Sequence, residues 1–253
     1  MKKTMLVLLV AVWAISKTIA QPPNGKKVVI VTSNQHTYGT TKLNAANHFE
    51  EIVVAYDVFV KAGYEVHFVS PLGGAIPIGY LKTSDSIQKK YFYDALLINK
   101  LKNTFTPTQI VKTDYSAIYF SGGGAAMFGV PENAEIQEIA KTIFAKGGIV
   151  SAVCHGTAGI VKIKDDEGNY LFKDRNITGY PDAFERKDAD YYTTFPFSIE
   201  QTINANGAIF QYSKKGWDGF YVVDDRLITG QDPTSSAKVA QLVVDKLMKI
   251  ENQ

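Results

Sequence analysis

The sequence predicts an α/β fold: a doubly wound, mostly parallel sheet that carries a nucleophile elbow. Three observations lead to this prediction. Short β-branched segments alternate with helix-like segments along the chain, as in sheets with crossover helices. Glycine-rich or polar residues follow three of the predicted strands, where active sites of such sheets lie. The composition, 45% hydrophobic and 21% charged, is that of a globular protein.

The first three elements form a predicted strand–helix–strand unit. Residues 26–34, KKVVIVTSN, favour a buried strand. Residues 44–62 have apolar residues at helical spacing and end at Gly63, a residue suited to a helix C-terminus. Residues 65–71, EVHFVSP, favour the next strand. Two strands joined by a helix in this way are expected to pair in parallel with a right-handed crossover.

The remaining segments continue the alternation. Residues 84–103 are predicted to hold one or two helices, and residues 115–124 a strand that runs into a glycine loop. A helix over 131–145 then precedes a fourth strand at 149–154. Short strands and one helix follow, and a last helix begins near Ser235 or Ser236. The candidates in this C-terminal third are strands at 169–172, 176–180, 208–212, 219–225 and 226–230 and a helix at 197–206.

Residues 1–20 have the layout of a secretory signal peptide: a basic start, an apolar run over 6–15, and a small residue, Ala20, before the cleavage point. The apolar run is too short for a membrane anchor. We therefore expect cleavage after Ala20, export to the periplasm or the medium, and no membrane contact afterwards. Residues 21–253 are predicted to form a single domain. The net charge of +2 and the lack of a basic stripe argue against nucleic-acid binding.

Cys154 is the only cysteine in 253 residues, so it cannot form a disulfide within the chain. It is either a small core residue or a nucleophile. The segment IVSAVCHGTAG places it where a strand stops and a helix begins near Gly156, and its small neighbours permit a tight turn. A helix start also lowers a thiol pKa. These features favour a nucleophile.

A thiolate needs a base, and the chain offers four histidines. His155 follows Cys154 directly and is the first candidate. His36 lies in the loop after the first strand and is a candidate for the pocket wall. His48 is expected on the solvated face of a helix, and His67 on a strand in a structural role. The glycine run 121–124 adds a candidate oxyanion hole built from Gly122, Gly123 and the His155 amide.

With these motifs in view, the chain resembles the ThiJ/PfpI superfamily, also called class I glutamine amidotransferase-like. It is most similar to the branch of heat-shock-type chaperones and glutathione-independent glyoxalases. The resemblance implies a flavodoxin-like sandwich and spans most of residues 26–250. The segments that carry it are FEEIVVAYDVFVKAGYEVHFVSPLGG (49–74), YFSGGGAAMFGVPEN (119–133), GGIVSAVCHGTAGI (147–160), ITGYPDAFE (177–185) and VVDDRLITGQDPTSS (222–236).

The resemblance implies two further site residues. A glutamate of the first helix that points at the nucleophile corresponds to Glu51, with Glu50 as the alternative. An acid behind the histidine corresponds to Glu185, with Asp182 as the alternative. Glutamine amidotransferases use a late His-x-Glu pair, but no histidine follows His155. The resemblance therefore does not imply a glutaminase.

The implied activity is that of a cofactor-free, metal-free glyoxalase of the D-lactate dehydratase type, which converts methylglyoxal to D-lactate through Cys154. Three alternatives remain open: a holdase chaperone, a protein or nucleotide deglycase, and a cysteine peptidase or amidase. The expected partner is a small aldehyde substrate, and a homodimer is possible within this superfamily.

Overall fold

A six-stranded sheet organises the computed structural model, which describes residues 26–251. The sheet has the strand order β3-β1-β5-β6-β10-β9, and two small two-stranded sheets, β2-β4 and β7-β8, lie beside it. The strands in chain order are β1 (Lys27–Val31), β2 (Asn47–His48), β3 (Glu65–Val69), β4 (Ile78–Gly79), β5 (Tyr115–Phe120), β6 (Ile149–Val153), β7 (Asn176–Ile177), β8 (Ile209–Phe210), β9 (Tyr221–Asp224) and β10 (Leu227–Gly230).

The main sheet is parallel except at one edge. β1 pairs in parallel with β3 and β5, β5 with β6, and β6 with β10. Only β9 runs antiparallel to its neighbour, and it lies outermost. The carboxyl ends of β1, β5 and β6 therefore meet at one edge of the sheet. The predicted doubly wound, mostly parallel sheet is confirmed.

Helices cover both faces of this sheet. α1, α6 and the shorter α2 and α3 pack on one face, while α4 and α5 pack on the other. Within residues 26–251, no helix combines the length and apolar character needed to cross a membrane. The helices are α1 (Phe49–Lys61), α2 (Ser86–Phe92), α3 (Ala95–Lys102), α4 (Ala134–Ala145), α5 (Ile199–Ala205) and α6 (Ser236–Glu251).

The sequences of the central strands are continuous apolar runs because both faces of these strands are buried. Along β5, Ala117 and Tyr119 contribute to the core beneath α1 and α6. Ile118 and Phe120 contribute to the core beneath α4 and α5. Successive side chains of a strand point to opposite faces, so one strand supplies both cores. This is why a β-branched or aromatic run, rather than an alternating one, marks these strands in the sequence.

The helix predicted from residue 44 differs from the structure, whereas the segment 84–103 agrees with the prediction of one or two helices. The helix expected from residue 44 begins at Phe49, because the side chain of Asn47 is bound to both backbone groups of Ser33 at 2.8 Å and Asn47–His48 pairs with β4. The segment 84–103 holds two helices, because Asp94 caps the second through the amide nitrogens of Leu96 and Leu97.

The strand candidate at 169–172 is wrong, since these residues form a bridge residue and a turn. The other C-terminal strand candidates contain β7, β8, β9 and β10, each shorter than predicted. The segment after Cys154 is a 3-10 helix, Cys154–Ile160, that starts two residues earlier than the predicted helix.

The contact between this 3-10 helix and β5 leaves no space for a side chain at Gly156. A Cβ at this position would lie 2.3 Å from the Phe120 carbonyl oxygen. We predict that Gly156→Ala lowers the free energy of unfolding by about 3 kcal/mol, because backbone atoms of a central strand cannot move aside cheaply. Urea unfolding measures this loss.

Gly74→Ala is the matched control. Gly74 has a positive φ of 70°, but an added Cβ meets nothing within 4 Å. This variant therefore costs only the backbone strain, about 1 kcal/mol. Equal losses in the two variants would contradict the proposed steric clash.

Candidate active site

A cavity of about 520 Å³ opens at the carboxyl edge of the sheet. Cys154, His155, Glu185 and Gly123 line it, together with aromatic side chains that include Tyr38, Tyr80, Tyr180, Tyr191, Phe195 and Trp217. A second cavity of about 440 Å³ lies between the end of α4 and the segment 164–175, and it contains none of the predicted site residues. The candidate chemistry is therefore concentrated in the first cavity.

Cys154 occupies the predicted elbow. Val153 is extended, whereas Cys154 has a φ of 59°, in the left-handed region that costs a non-glycine residue about 1–2 kcal/mol. The turn carries the thiol from the end of β6 to the cavity, where the residue is 5% exposed. The backbone N–H of His155 donates to the sulfur, which favours the thiolate.

His155 joins the thiol to a carboxylate. Its Nδ1 lies 3.4 Å from Cys154 Sγ, and its Nε2 lies 2.8 Å from Glu185 Oε1. The second carboxylate oxygen, Oε2, accepts a hydrogen bond of 3.0 Å from the Tyr191 hydroxyl. The imidazole also stacks on Tyr180, with ring centroids 4.5 Å apart. These contacts fix the ring orientation, so the structure brings together the cysteine, the histidine and the acid that the sequence singled out.

The alternative acid, Asp182, lies elsewhere. Its carboxylate accepts hydrogen bonds of 2.6 Å from the Ser198 hydroxyl and 2.7 Å from Gln201 Nε2. Ser198 is the N-cap residue of α5, so Asp182 ties a loop to that helix. Its contacts are structural, and Glu185 is the residue behind the histidine.

Glu51 approaches the thiol from the first turn of α1. Its side chain is fully buried, and Oε2 accepts a hydrogen bond of 2.6 Å from the Gly122 amide. Burial raises the pKa of Glu51 to about 8, against weaker lowering by the Gly122 amide and by Cys154. Glu51 is therefore protonated at neutral pH. Glu50, the alternative, contacts Gln88 Nε2 at 3.2 Å instead.

The electrostatics of Cys154 differ from the sequence-based expectation. Burial, and next the charge of Glu51 when ionised, raise the pKa of Cys154 well above its usual value, although the His155 amide opposes the shift. The sequence predicted a lowered pKa from the helix start alone. Because the protonated Glu51 carries no charge, it does not repel the thiolate at neutral pH. The two groups titrate as a pair, since ionisation of one makes ionisation of the other less favourable.

The two glycines of the candidate oxyanion hole have different positions. The Gly122 amide is already bound to Glu51, so it is not free to hold a substrate oxygen, which corrects the role expected from the sequence. Gly123 lines the cavity with a φ of 95°, and a Cβ there would lie 2.4 Å from the Ala46 carbonyl oxygen. Gly123 thus keeps the backbone close to the cavity, where a side chain has no space.

The structure changes the positions of two histidines. His36 is exposed and is not among the residues that line the cavity. His48, expected on a solvated helix face, lines the cavity and stacks on Tyr80. The signal that could have identified it is its spacing of three residues from Glu51, which places both side chains on one face at the start of α1. His67 is structural as expected, with ring nitrogens 2.7 Å from the Tyr115 hydroxyl and 2.8 Å from Glu65 Oε1.

Comparisons with known proteins show the family and the fold of this chain. The sequence profile of the DJ-1/PfpI family matches residues 43–246. A glutathione-independent glyoxalase of Schizosaccharomyces pombe is 29% identical over 88% of this chain and 98% of its own length. The crystal structure of glyoxalase III from Candida albicans superposes with a TM-score of 0.78 and 27% identity, covering 88% of this chain and 98% of that one. A protein/nucleic acid deglycase of Pseudomonas aeruginosa is 22% identical over 89% of this chain and 82% of its own length.

These comparisons contradict the prediction of export to the periplasm or the medium. The chain matches yeast glyoxalases over nearly their whole length, and none of the relatives named above is described as secreted. The export prediction is therefore wrong. Residues 1–20, on which it rested, lie outside the described residues.

The raised pKa of Glu51 predicts a pH-dependent stability. An ordinary glutamate loses its proton near pH 4.5, whereas Glu51 keeps it in the folded state until about pH 8. Between these values the folded chain binds the extra proton, so rising pH lowers the free energy of unfolding by at most about 1.4 kcal/mol per pH unit. Glu51→Gln removes this loss, and the variant is expected to gain stability over the wild type as the pH rises.

Urea unfolding from about pH 5 to about pH 8 measures the difference. Glu50→Gln is the matched control, because Glu50 neighbours Glu51 in the sequence but contacts Gln88 away from the thiol. A stability difference between Glu51→Gln and the wild type that stays constant with pH would contradict a buried, protonated Glu51.

Proposed function

The chain belongs to the DJ-1/PfpI family, and we propose that it is a glutathione-independent glyoxalase that converts methylglyoxal to lactate, with the D enantiomer implied by the resemblance. One observation carries the proposal. A single cysteine on a left-handed elbow lies between a buried carboxyl group, Glu51, and a histidine held by Glu185. This arrangement supplies a nucleophile, a group that moves protons at carbon, and a base for water.

The first step is addition. The Cys154 sulfur attacks the aldehyde carbon, C1, and forms the C–S bond of a hemithioacetal, while the thiol proton reaches the former carbonyl oxygen by way of His155. The imidazole can carry this proton because its Nδ1 is 3.4 Å from the sulfur. The His155 amide, which already points at the sulfur, and Gly123 lie where they can support the developing oxyanion.

The second step is an isomerisation. The ionised form of Glu51, which is the minor form at neutral pH and the major form above about pH 8, takes the proton from C1. The electron pair moves into an enediol, the proton of the C1 hydroxyl passes to the C2 oxygen, and Glu51 returns its proton to C2. C1 becomes the carbonyl carbon of a thioester, and C2 becomes an alcohol carbon. C1 is oxidised and C2 reduced within one molecule, so the step needs no external oxidant or reductant. The burial of Glu51 raises its basicity, which suits proton abstraction next to a carbonyl.

The third step is hydrolysis. His155 takes a proton from water, and the hydroxide attacks the thioester carbon. The C–S bond then breaks, and the departing sulfur takes the proton back from His155, which regenerates the thiol and releases lactic acid, ionised in water to lactate. The Glu185 carboxylate, 2.8 Å from Nε2, stabilises the imidazolium that forms. Glu185 therefore acts as a positioning residue, whereas Cys154, Glu51 and His155 touch the reacting atoms.

One observation favours a second candidate, a deglycase. A cavity of about 520 Å³ is far larger than a three-carbon aldehyde, and pockets of this size hold ligands of drug-like dimensions. A sugar-derived adduct on a protein or nucleotide would fill more of it. The two activities share the thiol chemistry and differ in substrate size, so relative kcat/KM values on methylglyoxal and on a glycated peptide separate them.

Replacement of the thiol tests the nucleophile. We predict that Cys154→Ala forms lactate from methylglyoxal, without glutathione, at least about 1000-fold more slowly than the wild type, because the chain has no second cysteine that could replace the thiol. A stereospecific lactate assay measures the rate and the enantiomer. Wild-type turnover that survives in Cys154→Ala would contradict the mechanism.

No turnover in either protein would contradict the glyoxalase. Suppression of client-protein aggregation, retained by Cys154→Ala in that case, would support the holdase alternative.

Replacement of the acid tests the histidine's support. Glu185→Gln keeps the shape of the side chain but removes its charge, so we expect kcat to fall about 10- to 100-fold with a smaller change in KM. Asp182→Asn is the matched control, since Asp182 binds Ser198 and Gln201 instead of the imidazole. Steady-state kinetics on methylglyoxal measure kcat for both variants. Equal losses of kcat in the two would rule out a specific role for Glu185.

A further inference from the structure

His48 is an unusual residue for the start of a helix. It is the N-cap residue of α1, yet its side chain makes no capping hydrogen bond. N-cap positions favour side chains that bind the free amides of the first turn. Four other helices follow this rule, with the cap residues Asp85, Asp94, Asn133 and Ser198. A residue that breaks a local rule without local gain is a candidate for function.

The imidazole of His48 is held in place from two sides. Its backbone N–H donates to the Gly122 carbonyl oxygen at 2.9 Å. Its ring stacks on the ring of Tyr80, with centroids 4.7 Å apart and planes 8° from parallel. Tyr80 itself has a φ of 58°, and its hydroxyl lies 3.2 Å from that of Tyr38. The ring is therefore positioned as a wall of the cavity that also contains Cys154.

The two ring nitrogens of His48 differ in their surroundings. Nδ1 is buried and has no hydrogen-bond partner among the described residues. Nε2 is therefore the polar atom that the cavity can reach. Burial, and next the proximity of His155, lower the pKa of His48 to about 4, so the ring is neutral at physiological pH. A buried N–H without an acceptor is rarer than a buried acceptor without a donor, so the proton belongs on Nε2.

We propose that His48 is a substrate-binding residue whose Nε2–H donates a hydrogen bond to the C2 oxygen of a vicinal dicarbonyl substrate. The inference rests on the glyoxalase proposed above. While Cys154 holds C1, the C2 oxygen gains negative charge as the enediol forms, and a fixed neutral donor stabilises that charge. A simple aldehyde has no C2 oxygen and gains nothing from this donor. His48 thus selects 2-oxoaldehydes as the substrate class.

Two variants separate hydrogen bonding from ring stacking. His48→Phe keeps a ring against Tyr80 but removes the donor, and His48→Gln restores a donor. We expect His48→Phe to lower kcat/KM for methylglyoxal about 100-fold, mostly in kcat, and His48→Gln to recover at least about tenfold of that loss. His36→Phe, at an exposed position outside the cavity, is the control and keeps wild-type kinetics.

A readout without turnover makes the test independent of the proposed function. The rate at which iodoacetamide alkylates Cys154 is measured alone, with methylglyoxal and with propanal. Without an aldehyde, the alkylation rates of all variants are expected to agree within about twofold. Such agreement would show that the elbow around Cys154 is intact. Methylglyoxal is expected to protect the wild type and His48→Gln but to protect His48→Phe about tenfold less, while propanal protects all three equally.

The outcomes are distinct. If the wild type is active and the kcat/KM of His48→Phe lies within about threefold of the wild-type value, the role of His48 is overturned but the glyoxalase proposal stands. An inactive wild type would overturn the glyoxalase, and selective loss of methylglyoxal protection in His48→Phe would still support dicarbonyl binding. Equal protection of wild type and His48→Phe by methylglyoxal would overturn that binding as well.

Discussion

The peptide groups of Gly122 hold the site together. Its N–H donates to the buried carboxyl of Glu51, and its C=O accepts from the backbone of His48. A Cβ at this position would lie 2.8 Å from Glu51 Oε2 and 2.9 Å from the His155 nitrogen. Only a residue without a side chain fits between the first turn of α1 and the elbow after β6. The positions of Glu51, His48 and Cys154 relative to one another all depend on this close approach.

The close approach of Gly122 also reduces the cost of burying the carboxyl group of Glu51. A carboxyl group removed from water is costly as an anion, and the Gly122 amide compensates only in part. Glu51 therefore remains neutral at the pH where an exposed glutamate is charged. While one member of the Glu51–Cys154 pair is neutral, the other can carry a negative charge, so the charge lies either on the sulfur or on the carboxylate. The chemistry proposed here uses each of these two states in turn.

The sequence predicted the parts of the fold that depend on continuous apolar runs. β1, β5 and β6 are buried on both faces, so their β-branched segments are unambiguous. Cys154 was predictable because a lone cysteine stood between a strand and small residues, and Glu51 and Glu185 followed from a family resemblance. Local patterns could not show that Asn47 binds the backbone of Ser33 and delays α1, because that contact joins residues 14 positions apart. The same delay places His48 at the cavity, so one long-range hydrogen bond changed the interpretation of a helix and a histidine.

The burial of Cys154 also bears on the handling of the protein. This cysteine is the only one in the chain, and it is 5% exposed at the base of a cavity. Two copies cannot bring such thiols within the 2.05 Å or so of a sulfur–sulfur bond without unfolding the elbow. Covalent cross-linking between copies is therefore blocked by shape, and storage without a reducing agent leaves the preparation free of disulfide-linked dimers. Small, diffusible oxidants that fit the cavity can still oxidise the thiol.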